Sequence, residues 1–497
     1  MTFALHKRPL LLGAGILVIA AFALVLLARL PLAGMAVGSL LRSAGASEIK
    51  FNISQASPWR VVVEDIGFLV KTQAFAAKRV TFARNHWWTP SLGAVRVEQV
   101  RLPVNIDAFG KDSPAASADK KGLTTAQPAS IPAEEISIDG QLVVQASGLP
   151  DQALMIKIAA RLADRGKWTG QVQVDSPGLS IKAEGAYNLP GQELVFKVPE
   201  ASLDLQLWQQ FVERIITLPG GVSTMEGKLT GNAEGRLLGK ELTASGTVHL
   251  REGRYTNDQS AIVGDGVEAD LTFIDLAKCL TKPGTLRVHQ LRTGQLPMTD
   301  LEAEVAFDGL NKLTVTRASL KALGGGVAAE PFKYFADRHE LEAVLLVDGI
   351  SVEELMALTK DLPAKASGRV NGRMPVRIDA SGLRLGTGWL ALKPGVYAEI
   401  QFNATGLLTG GVAPNNPSYA LLKKVESGLL KLKISQLRLE IRPPNAPEGR
   451  SAQLHLEGEP VDRDVKAPVS LDLNVNGPLE RLLNMGMDSR VSFGSAK

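Results

Sequence analysis

The sequence predicts a mainly β protein with one N-terminal transmembrane helix and only a few short helices. Three observations support this fold class. An apolar run fills residues 9–28. Apolar and polar residues alternate with a period of two in many segments after residue 133. Helical spacing of apolar residues is confined to the short segments 203–216, 352–359 and 418–426.

The composition indicates a globular chain with no nucleic-acid partner. Of 497 residues, 45% are hydrophobic and 21% are charged, which suits two to four folded domains. Lys and Arg number 55 against 51 for Asp and Glu, and this excess of +4 is spread evenly along the chain. Cys279 is the single cysteine, which excludes an intramolecular disulfide framework and a cysteine-cluster metal site.

Residues 9–28 contain no charge and no side-chain amide or hydroxyl. At ~1.5 Å per residue a helix of this length spans about 30 Å, the thickness of the hydrocarbon core of a bilayer. A cleaved signal peptide is the alternative, with Ala44-Gly45-Ala46 as its cleavage site, but that site lies far beyond an unusually long apolar run. We therefore expect residues 1–47 to be a membrane anchor and its junction, with the N-terminus in the cytoplasm.

The rest of the chain divides into three segments. Residues 48–109 contain strand patterns at 60–64 and 94–98 and predict an N-terminal β segment. Residues 110–133 are rich in Ser, Ala, Lys and Pro without apolar periodicity, and predict a linker or disordered loop. Residues 134–497 predict one long β domain.

Alternation in this domain sorts side chains onto two faces of each strand. The phase slips by one residue before Leu437, which predicts a β-bulge. Three short helices cannot cover the apolar face of so many strands, so the sheet either folds back on itself or encloses something else. The residues assigned to this face are Leu286, Val288, Val376, Ile378, Leu430, Leu432, Ile434, Leu437, Leu439, Leu471, Leu473 and Val475.

Two segments of the domain repeat one another. The first predicted helix is followed by Leu218-Pro219 and then by Gly227-Lys-Leu-Thr-Gly231. The second is followed by Leu362-Pro363 and then by Gly368-Arg-Val-Asn-Gly372. A helix that ends at Leu-Pro and leads into a new run of strands is typical of a modular β-ribbon.

These units, the N-terminal span and Ala318-Ser-Leu-Lys-Ala-Leu-Gly-Gly-Gly-Val resemble the AsmA-like superfamily. Gly382-Leu-Arg-Leu-Gly-Thr-Gly-Trp-Leu and the tail segments Leu437-Arg-Leu-Glu-Ile and Leu454-His-Leu-Glu-Gly are similar to its YdbH-like branch. The resemblance implies a protein of the cell inner membrane with a periplasmic part. That part would be a long, bent, antiparallel-rich β-sheet groove that carries phospholipid to the outer membrane.

The same resemblance implies the partners. They are phospholipid, the inner membrane through the N-terminal helix, and an outer-membrane lipoprotein or another partner at the far end. The twelve apolar positions above would line the groove. Because an acyl chain avoids charge, a carboxylate introduced at Leu432 is expected to block transport while the sheet stays folded.

No enzymatic site is predicted, and we expect no cofactor and no metal. The segment GVSTMEGK at 221–228 lacks the first glycine and the final hydroxyl residue of a phosphate-binding loop.

Two other functions stay open. A closed β-sandwich would suit a scaffold for outer-membrane assembly. The branch's C-terminal part is often labelled a dicarboxylate transport domain, although no paired basic motif supports that reading here.

Overall fold

The fold is described from a computed structural model of the chain. It describes residues 46–476 except 58, 71–72, 86–91, 106–132, 165, 216–223, 240, 259–260, 295, 336–339, 358–363, 380–381, 403–408, 411, 443–449 and 462–467. The predicted membrane span and linker 110–132 therefore lie outside the described residues, as do both Leu-Pro pairs of the repeat. Within the described part, no helix is both long enough and apolar enough to cross a bilayer.

The described residues form two compact units. The first is drawn from Met1–Leu203, Gln210–Thr217 and Asn232–Thr243, and the second from Asp204–Gln209, Leu218–Gly231 and Ala244–Lys497. Strands before and after residues 110–133 share the first unit. Ala133, the last residue of the expected linker, is buried at the start of a strand.

The first unit is a ladder in which consecutive strands are neighbours. All pairs are antiparallel except β4 and β5, which run parallel. The strands are β1 (Ala46–Ala56), β2 (Arg60–Val70), β3 (Gln73–Ala83), β4 (Leu92–Asn105), β5 (Ala133–Gln145), β6 (Gln152–Asp164), β7 (Lys167–Ser176), β8 (Leu179–Asn188) and β9 (Glu193–Asp204).

Two strands, β10 (Thr224–Leu238) and β11 (Glu241–Asn257), contribute residues to both units. The second unit then continues with β12 (Ile262–Asp275), β13 (Leu280–Thr281), β14 (Gly284–Thr293), β15 (Leu296–Phe307), β16 (Lys312–Ala322), β17 (Gly325–Ala329), β18 (Phe332–Phe335), β19 (Glu340–Ser351), β20 (Ala364–Ser367), β21 (Arg369–Asp379), β22 (Gly382–Leu385), β23 (Gly388–Leu392), β24 (Ala398–Phe402), β25 (Lys431–Ile441), β26 (Arg450–Pro460) and β27 (Val469–Asn476).

Pairing in the second unit is antiparallel, and short strands share long neighbours. β12 pairs with β14, and the ladder continues through β15 to β16. β17 and β18 both lie between β16 and β19, and β22 and β23 both pair with β21. β25 pairs with β23, β24 and β26, and β26 pairs with β27. The register of β25 shifts between Ile434 and Gln436, as the phase slip before Leu437 predicts.

Three short helices occur in the described residues, as the sequence predicts. They are α1 (Leu205–Ile215), α2 (Val352–Ala357) and α3 (Tyr419–Leu429). Leu205, Trp208 and Phe211 are buried at a spacing of three residues, so α1 presents one apolar face. The Gln206 N–H donates to Asp204 Oδ1 at 3.0 Å and so satisfies a donor of the first turn. The mainly β, antiparallel-rich fold class is thus confirmed.

Candidate functional site

In the first unit, apolar side chains line up from strand to strand. Because side chains alternate between the two faces, residues paired across a ladder lie on the same face. A row of aliphatic residues therefore crosses seven neighbouring strands without a polar member. Its members are Val63, Val80, Val97, Ile138, Ile158, Val172 and Ala183.

A second row in that unit runs parallel to the first. Val61 pairs with Phe82, and the register then leads through aliphatic residues and glycines to Phe196 on β9. The intervening members are Val95, Ile136, Ala160, Gly170 and Gly185. The two rows form a continuous apolar face.

The second unit repeats this arrangement. One row starts at Leu250 on β11 and ends at Met374 on β21. It passes through Ala269, Leu286, Ala303, Ala318, Ala329 and Leu345. The sequence-predicted residue Leu286 lies in the middle of this row, between Ala269 of β12 and Ala303 of β15.

The apolar face is not covered along its whole length. Among the described residues between Ile156 and Val288, the only buried large apolar side chains are those of α1. The apolar face of β7, β8 and β12 is instead half-buried, and Val172 is 37% exposed. A second protein layer would bury such residues completely, so these strands offer an apolar surface that other molecules can contact.

The second unit closes around its C-terminal strands. Leu432 and Ile434 are 1% and 0% exposed, and they pack in one cluster with Val370, Ala398 and Ile400. A packed core, rather than an open surface, surrounds these two positions. In place of the sequence-based expectation, we therefore expect a carboxylate at Leu432 to unfold this end of the sheet, because a lone charge in a packed core is strongly destabilising.

The other sequence-predicted lining residues fall into several environments. Leu437, Leu439 and Leu471 are partly buried against the cluster around Leu432. Val376 is buried in a neighbouring cluster, and Val288 is buried on β14. The side chains of Ile378, Leu473 and Val475 lie outside the described residues.

Leu430 is not part of a strand. Its φ of −63° and ψ of −30° are helical, and its N–H donates to Glu426 O at 3.0 Å. The strand predicted from Leu430, Leu432 and Ile434 therefore starts one residue before β25, which begins at Lys431. The prediction included Leu430 because this residue also fits the period of the preceding helix.

The opposite, polar face of the first unit carries a concave surface that the sequence analysis missed. The cavity has a volume of about 1360 Å³, and most of its lining residues are charged or polar residues of β2 to β8. Members of the first apolar row also line it, namely Val97, Ile138, Ile158, Val172 and Ala183. Arg79 binds Glu64 through Nε at 3.2 Å and Nη2 at 3.0 Å, and lies 3.8 Å from Glu98. The sequence feature that predicts this surface is the set of polar residues that alternate with the apolar ones along each strand. Mixed charge of this kind suits water and polar ligands better than acyl chains.

Two histidines make cross-strand contacts with carboxylates in the second unit. Hydrogen bonds from His249, at 2.6 Å, and from Arg251 hold the pKa of Asp270 below its ordinary value. His455 Nδ1 lies 2.9 Å from Asp472 and its Nε2 lies 3.3 Å from Glu457, and these hydrogen bonds raise the pKa of His455. Burial raises the pKa of the Cys279 thiol. No three His, Cys, Asp or Glu side chains of the described chain converge as metal ligands.

Comparison with known proteins adds one positive finding. Residues 149–396 match the model of the YdbH-like family, described as intermembrane phospholipid transport protein YdbH. No curated protein and no solved structure matches the chain. The matched region includes the half-exposed strands β7, β8 and β12 and the row that contains Leu286. The chain therefore belongs to the YdbH-like family, which is associated with intermembrane phospholipid transport.

Proposed function

We propose that the chain is an inner-membrane-anchored bridge whose apolar β-face carries phospholipid through the periplasm to the outer membrane. The observation that carries this proposal is the set of in-register apolar rows whose members stay half-buried on β7, β8 and β12. Acyl chains would lie along these rows, while the polar head group stays in water.

The energetics of lipid transfer require such a surface. A phospholipid has about 30 methylenes, and exposing them costs ~0.8 kcal/mol each, on the order of 24 kcal/mol in total. Free diffusion across an aqueous gap is therefore negligible. An apolar face recovers part of this free energy at every position along the path, and it also gains from losing its own contact with water.

We assign the lining to the half-buried members of the rows, including Leu286 and Ile158. Among the positions expected from the sequence, Leu437, Leu439 and Leu471 remain candidates, since they are partly exposed beside the C-terminal cluster. Leu432 and Ile434 hold that end of the fold together. Ile378, Leu473 and Val475 remain candidates on the basis of their alternation alone.

The proposal assigns membrane anchoring to residues 9–28 and the far-end contact to β27. Residues 9–28 would cross the inner membrane and leave the strands in the periplasm. β27 is the last described strand, and among the described residues it pairs only with β26. A strand from an outer-membrane lipoprotein would add to its other edge through backbone hydrogen bonds.

Site-specific photocrosslinking in cells tests the lipid path. A benzophenone side chain replaces Leu286 or Ile158 on the apolar face, and Thr285 or Ala159, their exposed neighbours on the other face, serve as matched controls. We expect phospholipid adducts at Leu286 and Ile158 and none at the controls. Equal labelling of both faces, or no adduct at either apolar position, contradicts the proposal.

The closed cluster around Leu432 favours one second candidate, a scaffold for outer-membrane assembly that carries no lipid. Native mass spectrometry of the full chain purified from membranes separates the two functions. Phospholipid bound at one or more molecules per chain supports transport. A chain free of lipid supports the scaffold.

A further inference from the structure

A line of backbone irregularities crosses neighbouring strands of the second unit. Glu252 on β11, Gly266 on β12 and Asp300 on β15 all have positive φ angles, of 54°, 65° and 52°. The register shifts at the first and last of these positions, between Leu250 and Gly253 and between Thr299 and Glu302. A bulge bends its strand, so bulges aligned on successive strands bend the sheet along a line.

We place the apolar face on the inside of this bend, because its member on β14 is buried while the neighbouring polar side chain is exposed. Val288 and His289 are adjacent on β14, where the line crosses that strand. Val288 is 7% exposed, whereas the His289 side chain is 72% exposed. Leu286 and Leu291, on either side of Val288, are half-buried. On β14, the most buried position of the apolar face is therefore Val288, beside the line of irregularities, and the polar side chain next to it is exposed.

Arg251 joins the two strands at the bulge between β11 and β12. Its Nη1 donates to Leu250 O at 2.9 Å and to Ala269 O at 3.1 Å, and its Nη2 donates to Asp270 Oδ1 at 2.5 Å. His249 approaches the same carboxylate oxygen at 2.6 Å. The Arg251 guanidinium thus binds one carbonyl of β11 and one of β12, next to the point where the register between these strands shifts.

Arg369 does the same at a second irregularity. Gly349 on β19 has a φ of 66°, and the register of β19 with β21 shifts between Val347 and Ile350. Arg369 Nη1 donates to Gly349 O at 2.8 Å and to Gly324 O at 2.7 Å, and the Gly349 N–H donates to Asn371 Oδ1 at 2.8 Å. The carbonyl of Gly349, at the bulge, is again held by an arginine, here through Nη1 alone.

We propose that Arg251 and Arg369 are positioning residues that fix the bend of the second unit and so set the width of its apolar face for the cargo. This inference rests on the proposed lipid-carrying function. A planar guanidinium with several donors binds two carbonyls and a carboxylate at once, whereas a lysine has a single ammonium group. Loss of these hydrogen bonds would let the sheet flatten and change which acyl chains fit.

Pulsed electron paramagnetic resonance measures the bend without reference to lipid. Spin labels at Asp258 and Ile274 mark opposite ends of the β11–β12 hairpin in the full chain, with Cys279→Ser removing the native thiol. We expect Arg251→Met to lengthen the distance between the labels by several ångström. Arg287→Met is the matched control, because Arg287 forms an exposed cross-strand ion pair with Glu302, at 3.6 Å, in regular register.

Mass spectrometry of co-purified lipid measures the consequence for the cargo. We expect Arg251→Met and Arg369→Met to shift the acyl-chain lengths that are bound, Arg251→Lys to shift them less, and Arg287→Met to leave them as in the wild type. The inference is overturned if the label distance is unchanged in Arg251→Met, or if it changes equally in Arg287→Met. It is also overturned if Arg251→Met alters the label distance but not the acyl-chain lengths that are bound. A wild-type chain without lipid contradicts the proposed function, and the label distances then still decide whether Arg251 holds the bend.

Discussion

Ile400 of β24 pairs with Leu432 of β25, and both side chains are buried, at 8% and 1% exposure. This pair lies in the cluster that closes the C-terminal end of the second unit. The same alternating pattern therefore produces a packed core at β25 and a half-exposed face at β7 and β8.

We expect Leu432→Ala to lower the free energy of unfolding by about 3 kcal/mol, because truncation leaves a cavity in a packed cluster. Leu432→Glu should fail to fold at this end, since it buries an unpaired carboxylate. Chemical denaturation of the full chain in detergent measures both effects. If Leu432→Glu is as stable as the wild type, the cluster is open to water.

Ile158→Glu and Ala159→Glu test the two faces of one strand. Ile158 belongs to the apolar row, and Ala159 is exposed between Ser137 and Gln171 on the polar face. A carboxylate beside an acyl chain costs at least ~1.4 kcal/mol, so we expect Ile158→Glu to reduce bound phospholipid about tenfold.

Lipid extraction and quantification from equal amounts of purified chain provide the measurement. Ala159→Glu should retain wild-type lipid, and both variants should keep the wild-type circular dichroism spectrum. Equal loss of lipid in the two variants would show that the effect is one of folding rather than of the apolar face.

The limits of sequence analysis are visible in individual residues. Alternation predicts where Ile158 and Leu286 point, because a period of two is a property of the strand itself. It does not show whether a second layer covers that face, since Leu432 and Leu286 have the same pattern but different surroundings. The parallel pairing of β4 with β5 was also missed, because it depends on how residues far apart in the chain meet. The hydrogen bonds of Arg251 depend on the β-bulge beside it, and no pattern of residue types in the sequence marks that bulge.

The contacts of His455 predict a pH-dependent attachment of β27. Hydrogen bonds that His455 donates to Asp472 and, with a smaller effect, to Glu457 raise the pKa of His455 above its ordinary value of 6.5. A raised pKa means that the protonated form is favoured in the folded chain, so the stabilisation is full below the unfolded value and is lost as pH rises through the folded value. The cation that faces His455 across the ladder is Arg438 of β25. Arg438 Nε donates a hydrogen bond to Glu440 Oε1 at 3.0 Å.

We therefore expect β27 amides to exchange with solvent faster at about pH 8 than at about pH 6, after correction for the intrinsic rates. Hydrogen exchange with mass spectrometry measures this difference. His455→Gln should remove it, whereas His289→Gln, on an exposed position of β14, should leave it unchanged. A difference that persists in His455→Gln would assign the effect to another group.

Gly140 and Gly67 provide a final matched pair in the first unit. Gly140 lies between Val100 and Ile156 on the apolar face, and a Cβ placed on it would lie 2.2 Å from Val100 O. Gly67 has no atom within 4 Å of the corresponding position.

Since the backbone of β4 cannot move without breaking the parallel pairing, we expect Gly140→Ala to destabilise the first unit by about 1–3 kcal/mol. Gly67→Ala should be neutral or slightly stabilising, because it restricts the unfolded chain. Thermal unfolding of the two variants measures the contrast, and equal melting temperatures would show that β4 and β5 are not held as closely as the register requires.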